Sequence, residues 1–306
     1  MKKRARARAA AGLSGFFAPH IAGTLRETGA IGGGLGIDGA VKADIAVELG
    51  EKQEIVVRNV INGEELDSCI ARYIVEKLFA EAGVPGGRVH IEQEIAVPIG
   101  GGYGTSGASA LAIAYALSRA LGLASTPDTV AEIAHEADIV CKTGLGTVVG
   151  IMQPCRGITL VAKPGGPGLA LVKCIPLDQS LRAITAFYAP IPKNSILTSR
   201  IQLERVRKEG LAVLKSIEEN PSPENFMEQC RSFAKKTGLI TPRIERVLAS
   251  LRSVEGVIGA SMNMIGEAVF ALVYADRVED ALAALSKTKP EWMHTWQPGS
   301  SGVVVE

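Results

Sequence analysis

Four glycines and two hydroxyl side chains precede an apolar helical run in the segment Pro98-Ile99-Gly100-Gly101-Gly102-Tyr103-Gly104-Thr105-Ser106-Gly107-Ala108-Ser109-Ala110. Because glycine has no Cβ, several backbone N–H groups can converge on one anion. The helix N-terminus that follows adds unpaired N–H donors and about half a positive charge. The segment therefore predicts a phosphate-binding loop. Its candidate ligand-contacting residues are Pro98, Gly100, Gly101, Gly102, Tyr103, Gly104, Thr105, Ser106, Gly107 and Ala108.

A second interpretation of this segment is a tight strand-to-helix turn that needs small residues. The segment lacks the Gly-Lys-Ser/Thr ending of a Walker A loop, and no acidic residue follows it at the spacing of a dinucleotide-binding fold. A second glycine-rich stretch, Gly256–Gly266, favours phosphate binding over a simple turn.

Strand and helix patterns alternate irregularly on both sides of the loop. Ala43–Leu49 and Gln53–Val60 are β-branched runs around Gly50-Glu51-Lys52, which predicts a hairpin. Helical spacing follows over Glu64–Ala82, and two or three helices are expected between residues 199 and 253. Since the strands lack regular βαβ spacing, we expect an α+β fold of two domains, residues 1–178 and 179–306.

A predicted helix over Thr129–Cys141, extended to Lys142, carries the candidate acid–base residues. His135, Asp138 and Lys142 lie on one stripe at positions i, i+3 and i+7. Glu136 is the competing carboxylate, but it points about 100° away from His135. The alternative is a solvated helix face with an Asp138–Lys142 ion pair.

Composition limits the partners and the compartment. Lys and Arg total 33 and Asp and Glu total 32, so a net charge of +1 indicates neither nucleic acid nor an anionic membrane as partner. The alternation of Arg4, Arg6 and Arg8 with alanine predicts a solvated first strand. The odd number and spacing of the cysteines favour neither a zinc site nor a disulfide framework, and they predict a reducing, cytoplasmic location. They are Cys69, Cys141, Cys155, Cys174 and Cys230. We find no signal peptide and no apolar run of membrane-spanning length.

Several motifs resemble a known family. Pro98–Ala110 and Gly259–Phe270 resemble the second and third signatures of the GHMP kinases, a superfamily of small-molecule kinases. The resemblance extends to the archaeal pantoate kinases in segments that lie in order from about residue 4 to residue 275. These include Leu13-Ser14-Gly15-Phe16-Phe17, Ala134-His135, Thr143-Gly144-Leu145-Gly146 and Lys163-Pro164-Gly165.

The resemblance implies a two-domain GHMP kinase fold, with a ribosomal-protein-like amino-terminal half and a ferredoxin-like carboxy-terminal half. It implies ATP and Mg²⁺ as cofactors and pantoate as the acceptor, phosphorylated at its 4-hydroxyl on the route to coenzyme A. By the same resemblance Ser106 and Asp138 hold Mg²⁺, His135 binds the acceptor, and a homodimer is expected. Asp138 stands where the family usually has glutamate, and it reaches about one methylene less far.

The chain also departs from the pantoate kinase pattern. Gly12 replaces a histidine, Ala30 a serine, Thr147 an aspartate, Val161 an arginine and Pro192 a threonine. Arg156 is the candidate substitute for the lost arginine. A threonine at position 147 cannot act as a base at neutral pH, although phosphoryl transfer proceeds mainly by positioning and charge neutralisation.

These departures leave three functional hypotheses. The first is a pantoate kinase, with Ser106, Asp138 and Thr147 at the reacting centre and Ala30, His135 and Arg156 around the acceptor. The second is a related kinase for another small hydroxy compound. The third is a nucleotide-binding homologue that has lost catalysis, which the threonine at 147 favours and the retained Asp138 opposes.

Overall fold

The computed structural model describes residues 2–51, 53–191 and 200–306, and within these ranges the chain forms fourteen strands and eight α-helices. The strands are β1 Lys2–His20, β2 Gly29–Gly50, β3 Ile55–Ile61, β4 Glu64–Glu65, β5 Gly86–Ile95, β6 Pro154–Cys155, β7 Gly157–Lys163, β8 Leu171–Pro176, β9 Leu181–Ala189, β10 Val257–Met262, β11 Glu267–Tyr274, β12 Trp292–Trp296, β13 Ser300–Ser301 and β14 Val303–Val305. The helices are α1 Cys69–Glu81, α2 Thr105–Leu121, α3 Pro127–Val140, α4 Thr147–Ile151, α5 Arg200–Glu219, α6 Pro223–Lys236, α7 Pro242–Arg252 and α8 Val278–Ser286. The predicted α+β class is confirmed.

The first sheet has the strand order β14-β1-β2-β5-β3-β4, and β7 and β8 extend it from the first part of β2. Helix α2 packs against β1 and β2 and between α1 and α3, which explains why it is apolar nearly all round. Arg4, Arg6 and Arg8 are exposed while Ala7 and Ala9 are buried, so the prediction of a solvated face on the first strand is confirmed.

The second sheet has the order β10-β11-β9-β12, with every pair antiparallel. The described part of the connection from β9 to β10 contains three α-helices, and the connection from β11 to β12 contains one, as in a ferredoxin-like split βαβ unit. Helices α5 and α6 also pack against β1, so the two sheets share one continuous core.

Strand β14 crosses between the two parts of the chain. Its residues Val303–Val305 pair with Ala7–Ala9 of β1, on the edge of the first sheet. Residue 178 lies between the end of β8 in one sheet and the start of β9 in the other. We therefore propose the division into residues 1–178 and 179–306, with β14 returning to the first part.

The predicted hairpin between Ala43–Leu49 and Gln53–Val60 is wrong. Both runs form strands, but β5 lies between them, antiparallel to β2 and parallel to β3. The turn residues after a strand show where that strand ends, but they do not show which strand will pair with it. The position of β5 between β2 and β3 could therefore not be predicted from the local sequence. Lys52, in the predicted turn, lies outside the described residues.

The prediction of no disulfide framework is also wrong. Cys69 bonds Cys141 and Cys155 bonds Cys174, while Cys230 is free and buried. The partners are 72 and 19 residues apart, so only the fold brings them together. Cysteine spacing therefore gives no support for a reducing compartment.

We expect the disulfide Cys69–Cys141 to contribute more to stability than Cys155–Cys174. Chain entropy predicts about 4 kcal/mol for a loop of 72 residues and about 3 kcal/mol for one of 19. The Cys69→Ser/Cys141→Ser variant should therefore melt roughly 6 °C below the wild type in scanning calorimetry. The Cys155→Ser/Cys174→Ser variant is the matched control and should lose less. An unchanged melting temperature in the first variant would contradict the prediction.

Candidate active site

The glycine-rich loop ends in an open helix N-terminus. Gly100, Gly102 and Gly104 have positive φ angles of 82°, 83° and 66°, in the region that glycine adopts without strain. Gly104 is the N-cap of α2 and provides no capping side chain, whereas Ser or Thr side chains cap α1, α3, α6 and α7. The first N–H groups of α2 therefore have neither an intrahelical nor a capping acceptor, as an anion site requires.

Tyr103 anchors the loop and does not present its side chain to a ligand. Its ring is 1% exposed, and its hydroxyl lies 2.8 Å from Thr185 Oγ1 in the second sheet. Burial raises the pKa of Tyr103 above its ordinary value. The Tyr103 carbonyl accepts a 2.9 Å hydrogen bond from the N–H of Gly12 on β1. If Tyr103 contacts a nucleotide, as the sequence predicts, it does so through its backbone.

Thr143 connects the two predicted magnesium ligands. Its hydroxyl donates to Asp138 Oδ1 at 2.6 Å, and its carbonyl accepts from the Ser106 hydroxyl at 3.5 Å. Asp138 is 1% exposed, and a Cβ added at Gly144 would lie 2.2 Å from Asp138 Oδ2. Glycine at 144 therefore leaves room for the carboxylate. The structure brings Ser106 and Asp138 together at the start of α2.

Helix α3 ends before Lys142, which corrects the predicted stripe. The helix stops at Val140, and Lys142 has a left-handed φ of 57°. Lys142 is therefore not one turn beyond Asp138 on the same face. Glu136, the competing carboxylate, accepts a 2.7 Å hydrogen bond from the Tyr73 hydroxyl and pairs with Lys77 at 3.2 Å. These two partners hold Glu136 on the side of α3 that faces α1.

The oxygen set at this position fits Mg²⁺. Mg²⁺ binds oxygen ligands and usually takes one or two from the protein and others from substrate phosphates and water. A buried carboxylate and a hydroxyl beside a helix N-terminus without a capping side chain meet that description. In the described part of the chain, no three His, Cys, Asp or Glu side chains cluster into a metal cage. Any metal held here would therefore depend on the nucleotide for further ligands.

Thr147 packs directly against the glycine loop. It is the first residue of α4, and its Cγ2 methyl would lie 2.7 Å from a Cβ added at Gly104. Its Cβ would lie 2.9 Å from one added at Gly107. A side chain at position 147 therefore reaches the glycine loop that the sequence predicts to bind phosphate.

His135 fastens the loop that precedes Ala30. It is 1% exposed, and its Nε2 donates to the Thr28 carbonyl at 2.9 Å. The Thr28 hydroxyl accepts from the N–H of Ala22, and the Arg26 carbonyl accepts from the N–H of Gly166. His135 therefore positions this loop. Because its Nε2 is bonded to the Thr28 carbonyl, any contact with the phosphoryl acceptor would have to come from another atom of the side chain.

The pH dependence of stability should report on His135. Burial lowers its pKa below the unfolded value of about 6.5. The folded state therefore binds fewer protons. The contribution of neutral His135 to stability is complete above about pH 6.5 and is lost as the pH falls below that value and through the lower folded-state pKa. We expect the free energy of unfolding to decrease between about pH 7 and pH 5 more steeply in the wild type than in His135→Gln. Denaturant titrations compare the two slopes, and equal slopes would contradict the prediction.

Ala30 and Arg156, two other residues predicted to lie around the phosphoryl acceptor, are far apart in the structure. Ala30 is buried, and its carbonyl oxygen would lie 3.0 Å from a Cβ added at Gly146, so it lies beside the Thr147 turn. Arg156 is exposed just before β7, whereas Gly165, beyond the other end of β7, packs against Gly29. Seven residues of extended chain separate Arg156 from that end, or roughly 20 Å. The structure therefore does not bring Arg156 to the predicted acceptor position.

The remaining departures from the pattern have separate locations. Val161 is buried in β7, pairs with Gly32, and lies over α4 near Gly150. Gly12 lies on β1 beside Tyr103, as given above. Pro192 lies outside the described residues.

Sequence reasoning missed two polar residues of the site. Thr143 links Ser106 to Asp138, and Asn263 is a buried amide between the glycine loop and β1. Both lie in segments that resemble the family, which is the signal that could have found them.

None of the helices in the described ranges combines the length and apolar character that spanning a bilayer requires.

Comparison with known proteins agrees with this geometry. Residues 69–152 match the model of the GHMP kinases N terminal domain, and residues 213–291 match that of the GHMP kinases C terminal domain. The pantoate kinase of Thermococcus kodakarensis is 30% identical over 277 residues, which are 90% of this chain and 89% of that protein. The pantoate kinase of Methanocaldococcus jannaschii is 30% identical over 273 residues, or 89% and 94%.

A solved structure described as a phosphotransferase related to the CoA biosynthesis pathway superimposes with a TM-score of 0.88 at 28% identity. The match covers 99% of this chain and 98% of that one. The first domain model includes Ser106, Asp138, Thr143 and Thr147, and the second includes Asn263. The chain belongs to the GHMP kinase family.

Proposed function

We propose that this protein transfers the γ-phosphoryl group of ATP to the 4-hydroxyl of pantoate, giving 4-phosphopantoate. The observation that carries the proposal is the uncapped N-terminus of α2, with Ser106, Thr143 and Asp138 hydrogen-bonded in a chain beside it. The curated relatives supply the acceptor, since those reported above are pantoate kinases.

In this proposal the nucleotide phosphates bind at the glycine loop and the first turn of α2. Free N–H groups and the positive helix end stabilise their charge, and the loop needs no side chain for this purpose. Ser106 and Asp138 would hold Mg²⁺. When bound, Mg²⁺ would neutralise negative charge on the phosphoryl group that is transferred.

The acceptor would lie near Ala30 and the Thr147 turn. His135 keeps the Ala22–Thr28 loop in place on one side of this position. Lys163 is exposed at the end of β7, and the nearby Gly165 packs against Gly29, so Lys163 lies at the Ala30 end of the sheet. This cation could pair with the acceptor carboxylate, which Arg156 is too distant to reach.

Transfer would proceed without a side-chain base at position 147. The hydroxyl of threonine cannot accept a proton at neutral pH. Positioning and charge stabilisation account for most of the catalysis of phosphoryl transfer, so the reaction remains accessible.

One observation favours a second candidate, a kinase for a different small hydroxy compound. Ala30 and Thr147 stand together at the acceptor position, where the family pattern has polar and charged side chains. A site that loses polar partners discriminates against a polar acceptor, because its hydroxyl and carboxylate groups find fewer hydrogen bonds.

The experiment is ADP release by the purified protein with Mg²⁺ and ATP, in the presence of pantoate or of other short hydroxy acids. We expect pantoate-dependent ADP release, a phosphomonoester signal in phosphorus NMR, and loss of both on chelation of the metal. ADP release with another hydroxy compound and none with pantoate would support the second candidate. No acceptor-dependent ADP release would overturn both. The homodimer stays a prediction that sedimentation velocity can test.

A further inference from the structure

A single buried amide joins three distant segments at the glycine loop. Asn263 follows β10, is fully buried, and donates from Nδ2 to the Gly101 carbonyl at 3.0 Å. Its Oδ1 accepts a 2.7 Å hydrogen bond from the N–H of Ser14 on β1. The N–H of Met264 in turn donates to the Ser14 carbonyl at 2.8 Å. Asn263 therefore fixes one peptide group of the loop relative to both sheets.

The hydrogen bond to Gly101 sets the orientation of the next N–H group. In a trans peptide the carbonyl and the following N–H point in opposite directions. Because the Gly101 carbonyl faces Asn263, the Gly102 N–H faces away from it. The Tyr103 carbonyl is held in the same way by the N–H of Gly12, two residues before Ser14, so the Gly104 N–H faces away from β1. A flip of the Gly101–Gly102 peptide would replace a donor with a carbonyl oxygen and repel a phosphate.

The backbone of the glycine loop packs closely against the backbone of the turn after Asn263. A Cβ added at Gly102 would lie 2.7 Å from the Met264 carbonyl carbon, and one added at Gly266 would lie 2.4 Å from the Gly101 carbonyl carbon. The loop and the turn after Asn263 are therefore in direct backbone contact. The hydrogen bond from Asn263 to the Gly101 carbonyl opposes rotation of the Gly101–Gly102 peptide.

We propose that Asn263 is a positioning residue for the nucleotide, which holds the Gly101–Gly102 peptide with its N–H directed to the phosphates. The inference rests on the proposed function, because it takes the glycine loop as the phosphate site. It adds a residue of the carboxy-terminal half to the formation of a site that otherwise belongs to the amino-terminal half.

Asn263→Asp is the sharpest variant, since it keeps the shape and exchanges the donor for an oxygen. In its charged form the introduced carboxylate still accepts from the N–H of Ser14 but repels the Gly101 carbonyl. Burial raises the pKa of the new carboxyl, and the protonated form can donate to Gly101 again. We expect the dissociation constant for Mg²⁺-ADP, measured by calorimetry, to exceed the wild-type value roughly tenfold at about pH 8 and to approach it at about pH 5.5.

Asn59→Asp is the matched control. Asn59 is 3% exposed, donates from Nδ2 to the Leu66 carbonyl at 3.2 Å, and accepts from Gln93 at 2.7 Å, away from the loop. It should bind ADP like the wild type at both pH values. Equal losses in the two variants, or a loss in Asn263→Asp that does not depend on pH, would overturn the proposal. Wild-type affinity of Asn263→Asp at about pH 8 would overturn it as well.

A measurement on the wild type decides the case if Asn263→Asp does not fold. Isotope labelling that selects glycines preceded by glycine leaves few amide signals, with Gly102 among them. We expect the Gly102 amide proton to move downfield as ADP is added, and an unchanged signal at saturation would overturn the proposal. If the wild type phosphorylates pantoate and Asn263→Asp binds ADP as tightly as the wild type does, the proposed function is supported and the inference is not. A wild type that binds ADP with this dependence on Asn263 but phosphorylates nothing upholds the inference alone, and one that binds no nucleotide overturns both.

Discussion

Asp138→Asn is expected to lower turnover by about 100-fold while leaving the affinity for ATP nearly unchanged. The asparagine keeps an oxygen that can accept from the Thr143 hydroxyl, so the local hydrogen bonds persist. It removes the negative charge that the proposed site directs at Mg²⁺ and the transferring phosphoryl group. Loss of a charge contact that is strongest in the transition state lowers kcat more than it weakens binding. Steady-state kinetics with ATP and the acceptor measure both quantities.

Glu136→Gln is the control for this prediction, because it makes the same chemical change two residues earlier on α3. Glu136 is held by Tyr73 and Lys77, on a different side of the helix from Thr143. It should keep wild-type turnover. Ser106→Ala should resemble Asp138→Asn, since its hydroxyl lies at the other end of the Thr143 link. Full activity in Asp138→Asn together with loss in Glu136→Gln would show that Glu136 is the functional carboxylate.

Thr147→Asp is expected to raise turnover, by up to roughly 100-fold, the lower range for a correctly placed general base. The side chain at this position contacts Gly104 and Gly107, so a carboxylate would lie beside the proposed phosphate-binding loop. There it could accept the acceptor's hydroxyl proton. The gain should disappear as the pH falls through the pKa of the new carboxyl, because only the charged form accepts a proton.

Thr147→Asn is the control, since it has the size of aspartate and no basic group at neutral pH. Both variants add bulk against the glycine loop, and the added charge of Thr147→Asp also weakens ATP binding. For this reason kcat and KM are measured separately at saturating ATP. An equal effect of the two substitutions on kcat would show that proton removal does not limit the wild-type enzyme.

The parts of the site that lie in one stretch of chain could be predicted from the sequence. The glycine loop and α2 follow from local conformational rules, because glycine and an apolar helix have strong sequence signals. The presence of His135 and Asp138 on one helix follows from helical spacing. Lys142 was misplaced because helix ends are set by individual hydrogen bonds, here those of the turn Cys141–Thr143 with α3.

Contacts between distant segments could not be predicted in this way. Asn263 is 249 residues from Ser14 and 162 from Gly101, and no local pattern distinguishes it from any other polar turn residue. The position of Arg156 could not be predicted from the local sequence either. Arg156 is close in sequence to Val161, but it lies at the end of β7 that is far from the predicted acceptor position. Strand order and disulfide pairing are likewise properties of the whole fold.

Strand β14 has a consequence for the order in which the protein folds. It supplies the edge of the first sheet from residues almost 300 positions away from their partners on β1. The ribosome makes β1 well before β14, so the edge of β1 at Ala7–Ala9 lacks this partner until residues 303–305 have been made. Closing so long a loop is slow, and an unpaired strand edge is open to association with other chains. Completion of this edge of the amino-terminal sheet is therefore a late event in folding, although most of the sheet's strands are made first.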